Sequence, residues 1–181
     1  LRFGHMTKEM DELVNRLKLD SINIIGWSDG GIVGLQMGIS GKSKIKKIVA
    51  MGANLRPDST AIYSWAAKDV QNLRKTIISK IKEKDTSENW NLMKQISGLL
   101  VDQPNIAAKD LSKIKAKVLV IAGDRDVIRN EHTIEIFENI PKAQLCIMPG
   151  ETHFAPASSP EVFNALANKF LSEPFKRPDS D

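Results

Sequence analysis

The chain has 181 residues, of which 41% are hydrophobic and 27% are charged, and its formal net charge is +4. A chain of this length and composition can bury a core in one domain, which excludes wholesale disorder. The lysines are scattered without the interleaved aromatic residues that stack bases, so we expect no nucleic-acid partner. No apolar run approaches the roughly 18 residues of a membrane-spanning helix, so we expect no membrane partner.

Helical and strand periodicities alternate along the first part of the chain. Thr7 is predicted to cap a helix whose apolar residues recur at a spacing of three or four and share one face: Met10, Leu13, Val14 and Leu17. Two β-rich runs, 21–27 and 45–51, predict buried strands. The small and apolar residues of 32–39 predict a buried helix between them.

The pattern changes between 57 and 110, where apolar residues recur at helical spacing and no strand is convincing. Alternation then resumes with a strand at 117–121 and a helix at 131–140, whose apolar face comprises Ile134, Phe137 and Ile140. A strand at 145–148 is predicted to stop at Pro149-Gly150, and a final helix has the apolar residues Val162, Phe163, Leu166, Phe170 and Leu171. The polar tail, 174–181, is predicted to fray.

This order of elements predicts an α/β fold, a mostly parallel sheet with helices on both faces. Residues 1–56 and 111–173 would form the core, 57–110 a helical cap insertion and 174–181 a polar tail. Only four strands are recognised, and the chain begins at Leu1 in the manner of the middle of a protein. We therefore expect that an N-terminal segment is missing.

One motif at the first junction of strand and helix predicts a nucleophilic serine. Residues Gly26-Trp27-Ser28-Asp29-Gly30 form the pattern G-x-S-x-G. The turn is sharp, so side chains at its flanking positions would clash with the neighbouring strand or helix. It holds the Ser28 hydroxyl at the carboxyl end of the sheet, beside the positive end of the next helix. The alternative is that Ser28 only caps that helix.

A nucleophilic serine needs a base, and the chain has three histidines. His153 lies just after the last strand and just before the last helix, which places it on the same rim of the sheet as Ser28. His132 begins a helix that would carry it outward, so we predict that it is a surface residue. His5 lies near the beginning of the chain and carries little weight.

The base needs a carboxylate to orient it, and two aspartates follow the strand at 117–121. We choose Asp126 as the orienting residue. Asp124 lies close enough to the strand to serve the turn, either by pairing with Arg125 or through an Asx turn. The alternative role of Asp126 is to cap a turn or helix.

The chain order Ser28, Asp126, His153 is that of α/β-hydrolases, and the chain resembles this superfamily over nearly its whole length. Within it, the chain is similar to the biphenyl-hydrolase-like, valacyclovir-hydrolase type. The matching segments are Gly26-Trp27-Ser28-Asp29-Gly30-Gly31, Met51-Gly52-Ala53-Asn54, Gly123-Asp124-Arg125-Asp126 and His153. One departure is visible, because many relatives have proline soon after the acid and this chain has none in 127–130.

The resemblance implies an α/β-hydrolase sheet of eight strands, of which the four recognised here form the second half. It implies that the backbone N–H of Asp29 is one donor of the oxyanion hole, and that the missing segment supplies the second. In the valacyclovir-hydrolase type the aspartate after the serine binds the substrate ammonium group, which implies α-amino-acid esters. Asp29 could instead only complement the helix N-terminus. Trp27, Trp65 and Trp90 are candidate substrate contacts, although such tryptophans are more often core.

Together these observations predict a serine hydrolase that cleaves a carboxylic ester, with a small-molecule ester or acyl substrate. Peptidase, lactonase, carbon–carbon hydrolase and perhydrolase chemistry use the same triad and stay open. A second interpretation is a non-catalytic ligand-binding or scaffolding protein, and a third is that the first strand pairs with another chain, as in a homo-oligomer.

No cofactor and no metal site are expected, since no nucleotide-binding motif or metal-ligand cluster stands out. The single cysteine, Cys146, excludes an internal disulfide framework and a cysteine-only zinc site. One free thiol suits the cytoplasm, but a missing segment could carry a signal peptide.

Overall fold

A computed structural model describes residues 1–176 of the chain. The first half contains α1 (Phe3–Arg16), β1 (Ile22–Trp27), α2 (Asp29–Ser40), β2 (Ile45–Met51), α3 (Ser64–Lys82) and α4 (Trp90–Asp102). After a 3-10 helix (Ala108–Lys113), the second half contains β3 (Lys117–Arg125), α5 (Asn130–Asn139), β4 (Ala143–Thr152), α6 (Ala155–Ser158) and α7 (Pro160–Ser172).

The four described strands form one sheet in the order β1-β2-β3-β4, and every neighbouring pair is parallel. Parallel neighbours need crossover connections, which the helices between the strands supply. Spatial order therefore follows chain order, and all four strands end at the same edge. The predicted α/β architecture with a parallel sheet is confirmed.

Both faces of the sheet are covered, as the alternation of side chains along β2 shows. Ile48 and Ala50 join the larger hydrophobic cluster, which includes buried residues of α1, α2 and α5. Val49 and Met51 point to the opposite face and join a smaller cluster with buried residues of α7. The site therefore rests on a sheet that is packed on both sides.

The structure corrects the prediction for α1. The helix begins at Phe3, so Thr7 is not a cap and its hydroxyl instead donates to the Phe3 carbonyl at 2.9 Å. The buried face is polar in part, because Asp11 is 3% exposed and accepts from the hydroxyls of Ser40 and Ser43. Of the predicted apolar face only Val14 is buried, while three residues are exposed: Met10, Leu13 and Leu17.

The second half also differs in detail from the prediction. β3 runs on to Arg125, and β4 continues through Pro149 to Thr152. Proline is tolerated there because β4 is an edge strand and one missing N–H can face away from the ladder. The buried residues within α5 are His132, Thr133 and Ile136, whereas Ile134 is exposed.

The segment 57–110, predicted as a helical insertion, contains α3 and α4, which pack against each other, and the start of the 3-10 helix. The division of the chain into a core and a cap stays a prediction. Within residues 1–176, no helix combines the length and apolar character needed to cross a membrane.

Lys47 ties the end of α7 to the sheet. Its ammonium nitrogen donates to the carbonyl oxygens of Phe170 at 2.7 Å, Leu171 at 2.9 Å and Glu173 at 2.6 Å. A cation at the C-terminus of a helix also interacts favourably with the helix dipole. The start of the predicted tail is held as well, since Phe175 packs against the smaller cluster, while 177–181 lie outside the described residues.

We expect Lys47→Met to lower the free energy of unfolding by about 1–3 kcal/mol, since it removes three charge-assisted hydrogen bonds. Urea denaturation measures the change. Lys46→Met is the matched control, because it removes the same charge from an exposed neighbour on β2. Equal destabilisation by the two variants would contradict the prediction.

Candidate active site

The turn between β1 and α2 holds Ser28 in an unusual backbone conformation. Its φ of 55° and ψ of −119° lie outside the regions that residues with a Cβ ordinarily adopt. A Cβ on Gly26 would lie 2.2 Å from the Gly30 carbonyl oxygen, so glycine is required there. At the other flank of the motif the predicted clash is absent, since a Cβ on Gly30 would meet open space. The next residue, Gly31, is more restricted, because its added Cβ would make a tight contact of 3.1 Å with the Ala53 Cβ.

The structure brings Ser28, His153 and Asp126 together. His153 Nε2 lies 2.9 Å from Ser28 Oγ, and His153 Nδ1 lies 2.7 Å from Asp126 Oδ1. The Asp126 side chain is fully buried, and that of His153 is 13% exposed. A carboxylate can only accept, so Nδ1 carries the proton and Nε2 is free to accept the serine proton. This arrangement can act as nucleophile, base and orienting acid.

The two aspartates after β3 have different partners. Asp126 Oδ1 also accepts from the backbone N–H of Ile128 at 3.0 Å, so this residue makes the turn contact as well as the contact to His153. Asp124 Oδ1 accepts from the Gly150 N–H at 2.9 Å and joins the ends of β3 and β4. Asp124 therefore links the two strands, and among the described residues its carboxylate makes neither the predicted pair with Arg125 nor an Asx turn.

Gly52 is a site residue that motif reasoning did not single out. It lies just after β2 with a φ of +60°, and its N–H donates to the Ile121 carbonyl at 2.9 Å. An added Cβ would lie 2.8 Å from His153 Cε1 and Nδ1, and 3.4 Å from Asp126 Oδ2. The absence of a side chain therefore makes room for the imidazole. A glycine directly after a predicted strand, on the rim that carries the serine, was the available signal.

The prediction that His132 is a surface residue is wrong. The residue is 1% exposed, and its Nε2 accepts from the Leu55 N–H at 2.9 Å. Its Nδ1 lies 2.9 Å from Glu135 Oε2, and Glu135 forms a bidentate ion pair with Arg56. Burial, followed by the charge of Arg56, lowers the pKa of His132 below its usual 6.5. The neutral ring thus supports the loop after β2.

A cavity of about 650 Å³ opens above Ser28 and His153. Its apolar lining comes largely from α3, α4 and the loops at the sheet edge, and it includes Trp27 and Trp65. Trp90 is not among the lining residues, and its indole N–H donates to Asp85 at 2.9 Å in the turn before α4. The expectation of a pocket contact is therefore not met for Trp90.

Trp27 also helps to position the histidine loop. Its indole N–H donates to the His153 carbonyl at 2.7 Å. Its ring meets that of Phe154 edge to face, with the centroids 5.7 Å apart. Trp27 and Phe154, which is 60% exposed, thus form an aromatic rim beside the triad.

The charged residues that line the cavity are acidic. Asp29 follows the serine and Asp69 lies on α3, and the lining includes no lysine or arginine. Burial raises the pKa of Asp29 above its usual 3.8, and the charge of His153 opposes that rise. In the part of the chain that the structure describes, no three His, Cys, Asp or Glu side chains are placed to hold a metal ion.

Comparison with known proteins gives consistent matches. The family described as the alpha/beta hydrolase fold matches residues 1–99. The human protein named "Serine hydrolase BPHL" is 26% identical over 180 residues, covering 93% of this chain and 61% of that protein. The mouse protein of the same name is 25% identical with the same coverage. The chain thus spans about three fifths of the length of these curated relatives, and the resemblance inferred from the sequence is confirmed.

Two solved structures share the fold. MGS-M2, an alpha/beta hydrolase from a Medee basin deep-sea metagenome library, aligns with a TM-score of 0.74 at 20% identity, over 96% of this chain and 72% of that one. A carboxylesterase of the thaumarchaeon Nitrososphaera gargenis aligns with a TM-score of 0.70 at 18% identity, over 95% and 72%. At these identities the likeness concerns the fold alone.

We expect Gly52→Ala to slow the labelling of Ser28 by a fluorophosphonate probe by about 100-fold. The new methyl group would displace the His153 ring, and a displacement of about 1 Å at a reacting group can cost that much. Intact-protein mass spectrometry over time measures the rate. Gly30→Ala is the control, since its methyl group would meet open space. An unchanged rate in Gly52→Ala would contradict the prediction.

Proposed function

Because the chain belongs to the α/β-hydrolase family, we propose that it acts as a serine hydrolase on a carboxylic ester. The observation that carries the proposal is the continuous series of hydrogen bonds from Ser28 through His153 to Asp126. It is supported by the backbone conformation of Ser28, by the cavity directly above it and by the similarity to relatives named serine hydrolases.

In the proposed mechanism Ser28 Oγ attacks the ester carbonyl carbon while His153 Nε2 takes its proton. Asp126 stabilises the imidazolium that forms. His153 then gives the proton to the leaving alcohol, which leaves an acyl group on Ser28. Water, activated by His153 in the same way, attacks the acyl-enzyme and releases the acid.

The oxyanion of the tetrahedral intermediate needs hydrogen-bond donors. The backbone N–H of Asp29 is at the first position of α2, where it has no acceptor within the helix. It therefore suits the oxyanion, and the dipole of α2 adds to its effect. The proposed mechanism requires a second hydrogen-bond donor to the oxyanion in addition to the Asp29 N–H.

The cavity supports a substrate that carries a positive charge next to the ester. Asp29 is half-buried beside Ser28, and among the described residues the lining includes no lysine or arginine that would compete for it. A carboxylate in such a pocket can pair with the ammonium group of an α-amino-acid ester. Apolar residues of α3 and α4 would then accept the hydrophobic part of the substrate, which is the role expected of a cap.

The first test compares Ser28→Ala and Asp126→Asn in hydrolysis of a 4-nitrophenyl ester. We expect Ser28→Ala to abolish turnover and probe labelling, and Asp126→Asn to lower kcat by about 10³–10⁴-fold, because the imidazole then adopts the wrong tautomer. Asp124→Asn is the matched control in the same loop and keeps an acceptor for Gly150. Turnover retained by Ser28→Ala would refute the mechanism, and a serine that stays unlabelled would favour a non-catalytic binding protein.

The second test concerns Asp29 and pH. For 4-nitrophenyl L-leucinate against 4-nitrophenyl 4-methylpentanoate, we expect Asp29→Asn to lower the ratio of kcat/KM about 10–100-fold. Since the pKa of Asp29 is raised, the carboxylate is ionised above that pKa and neutral below it. The preference should therefore be present near pH 6.5, where the α-amino group is protonated, and disappear on acidification at a higher pH than an ordinary aspartate would give.

Effects of pH on the chemical step are common to both esters and cancel in the ratio. In Asp29→Asn the ratio should be small and should not change on acidification below about pH 6.5, where the α-amino group stays protonated. A wild-type protein that treats the two esters equally at every pH would exclude the amino-ester preference and leave the serine hydrolase intact.

A further inference from the structure

Asn54, in the loop after β2, lines the same cavity as Ser28 and Asp29 and is only 9% exposed. Its amide nitrogen donates to the Arg56 carbonyl oxygen at 2.8 Å. A carbonyl oxygen can only accept, so the nitrogen must face Arg56 and the orientation of the amide is fixed. The side-chain oxygen, Oδ1, therefore points away from that contact.

This oxygen is not sealed in the interior of the protein. In residues 1–176 the enclosed side-chain atoms without a hydrogen-bond partner are Asp126 Oδ2 and Asn130 Oδ1. Asn54 Oδ1 is not enclosed in this way, and within the same residues it accepts no hydrogen bond from the protein. Asn54 is a residue of the cavity wall, and its side-chain oxygen has no hydrogen-bond partner among the described residues.

The loop on either side of Asn54 is anchored. Ala53 packs on the first turn of α2, since a Cβ added to Gly31 would lie 3.1 Å from the Ala53 Cβ. The Leu55 N–H donates to the buried ring of His132. The acceptor is thus held in place next to the helix turn that carries Asp29, and binding would cost little ordering of the loop.

An ammonium group has three N–H donors, and in a mostly apolar cavity each donor without a partner is costly. Asp29 can satisfy one or two of them. We propose that Asn54 is a specificity residue of this site and that its Oδ1 accepts a hydrogen bond from the substrate ammonium group that pairs with Asp29. This inference rests on the proposed function and adds a second acceptor to it.

The test uses two variants that separate the two ends of the amide. Asn54→Leu removes both the acceptor and the donor to Arg56. Asn54→Asp keeps an acceptor for the ammonium group, loses the donor and adds a negative charge. The ligands are L-leucinamide and 4-methylpentanamide, which differ by the ammonium group alone. Their Kd values are measured by calorimetry at about pH 6.5, where the α-amino group is protonated, in a Ser28→Ala background that prevents turnover.

We expect Asn54→Leu to weaken L-leucinamide binding about tenfold and to leave 4-methylpentanamide binding unchanged. Asn54→Asp should bind L-leucinamide at least as tightly as the parent protein. Equal weakening of both ligands in both variants would show that Asn54 only holds the loop, and would overturn the proposal. So would a parent protein that does not prefer L-leucinamide.

Thermal unfolding checks that each variant folds. If Asn54→Leu does not fold, Asn54→Asp decides alone, since weaker L-leucinamide binding there contradicts an acceptor role and retained preference supports it. The proposed function fails separately, through absent labelling of Ser28. If Ser28 is labelled but the protein does not prefer L-leucinamide over 4-methylpentanamide, only the role of Asn54 is refuted. If the preference is present but Ser28 is not labelled, only the hydrolase function is refuted.

Discussion

The site depends on the strained turn at Ser28. A non-glycine residue in such a conformation costs on the order of 1–3 kcal/mol and persists only where its surroundings enforce it. Here Gly26 lets the chain fold back on the start of α2, and the Ser28 N–H donates to the Met51 carbonyl at 2.8 Å. This backbone conformation directs the Ser28 hydroxyl beyond the edge of the sheet and towards His153. The same turn leaves the Asp29 N–H at the open end of α2, so the proposed nucleophile and the proposed oxyanion donor arise from one backbone conformation.

The order of the strands positions the other residues of the site around Ser28. Because β1 to β4 are parallel and adjacent in chain order, the segments that follow them meet at one edge. Each contributes one part: Ser28 after β1, Gly52 after β2, Asp126 after β3 and His153 after β4. Neighbouring strands lie about 4.8 Å apart, so Asp126 and His153, which follow successive strands, are within reach of one another. Ser28 lies three strands from His153, and the imidazole reaches it across the end of β2, where Gly52 has no side chain to block the ring.

The elements and the triad residues could be predicted from the sequence because they depend on local patterns. Strand ends, the glycine-flanked serine and the order of Ser28, Asp126 and His153 are visible without tertiary information. What failed depends on contacts between distant segments. His132 is buried because the Leu55 N–H, 77 residues away, needs an acceptor. In α1, hydrogen bonds from Ser40 and Ser43 to Asp11 select the buried face, although another face is more apolar.

The loop after β2 contacts both His153 and His132 and so connects the cavity wall to the triad. On one side Gly52 leaves the space that the His153 ring occupies, and on the other the ring of His132 accepts from Leu55. Asn54 lies between these two points. A shift of the loop would therefore move the cavity wall and the catalytic imidazole together. Because His132 is buried, with its charged form disfavoured, its acceptor nitrogen stays available, and the Glu135–Arg56 ion pair fixes the ring from below. Because the loop is anchored at both points, the cavity wall at Asn54 and the His153 ring keep a constant geometry relative to each other, which the proposed function requires.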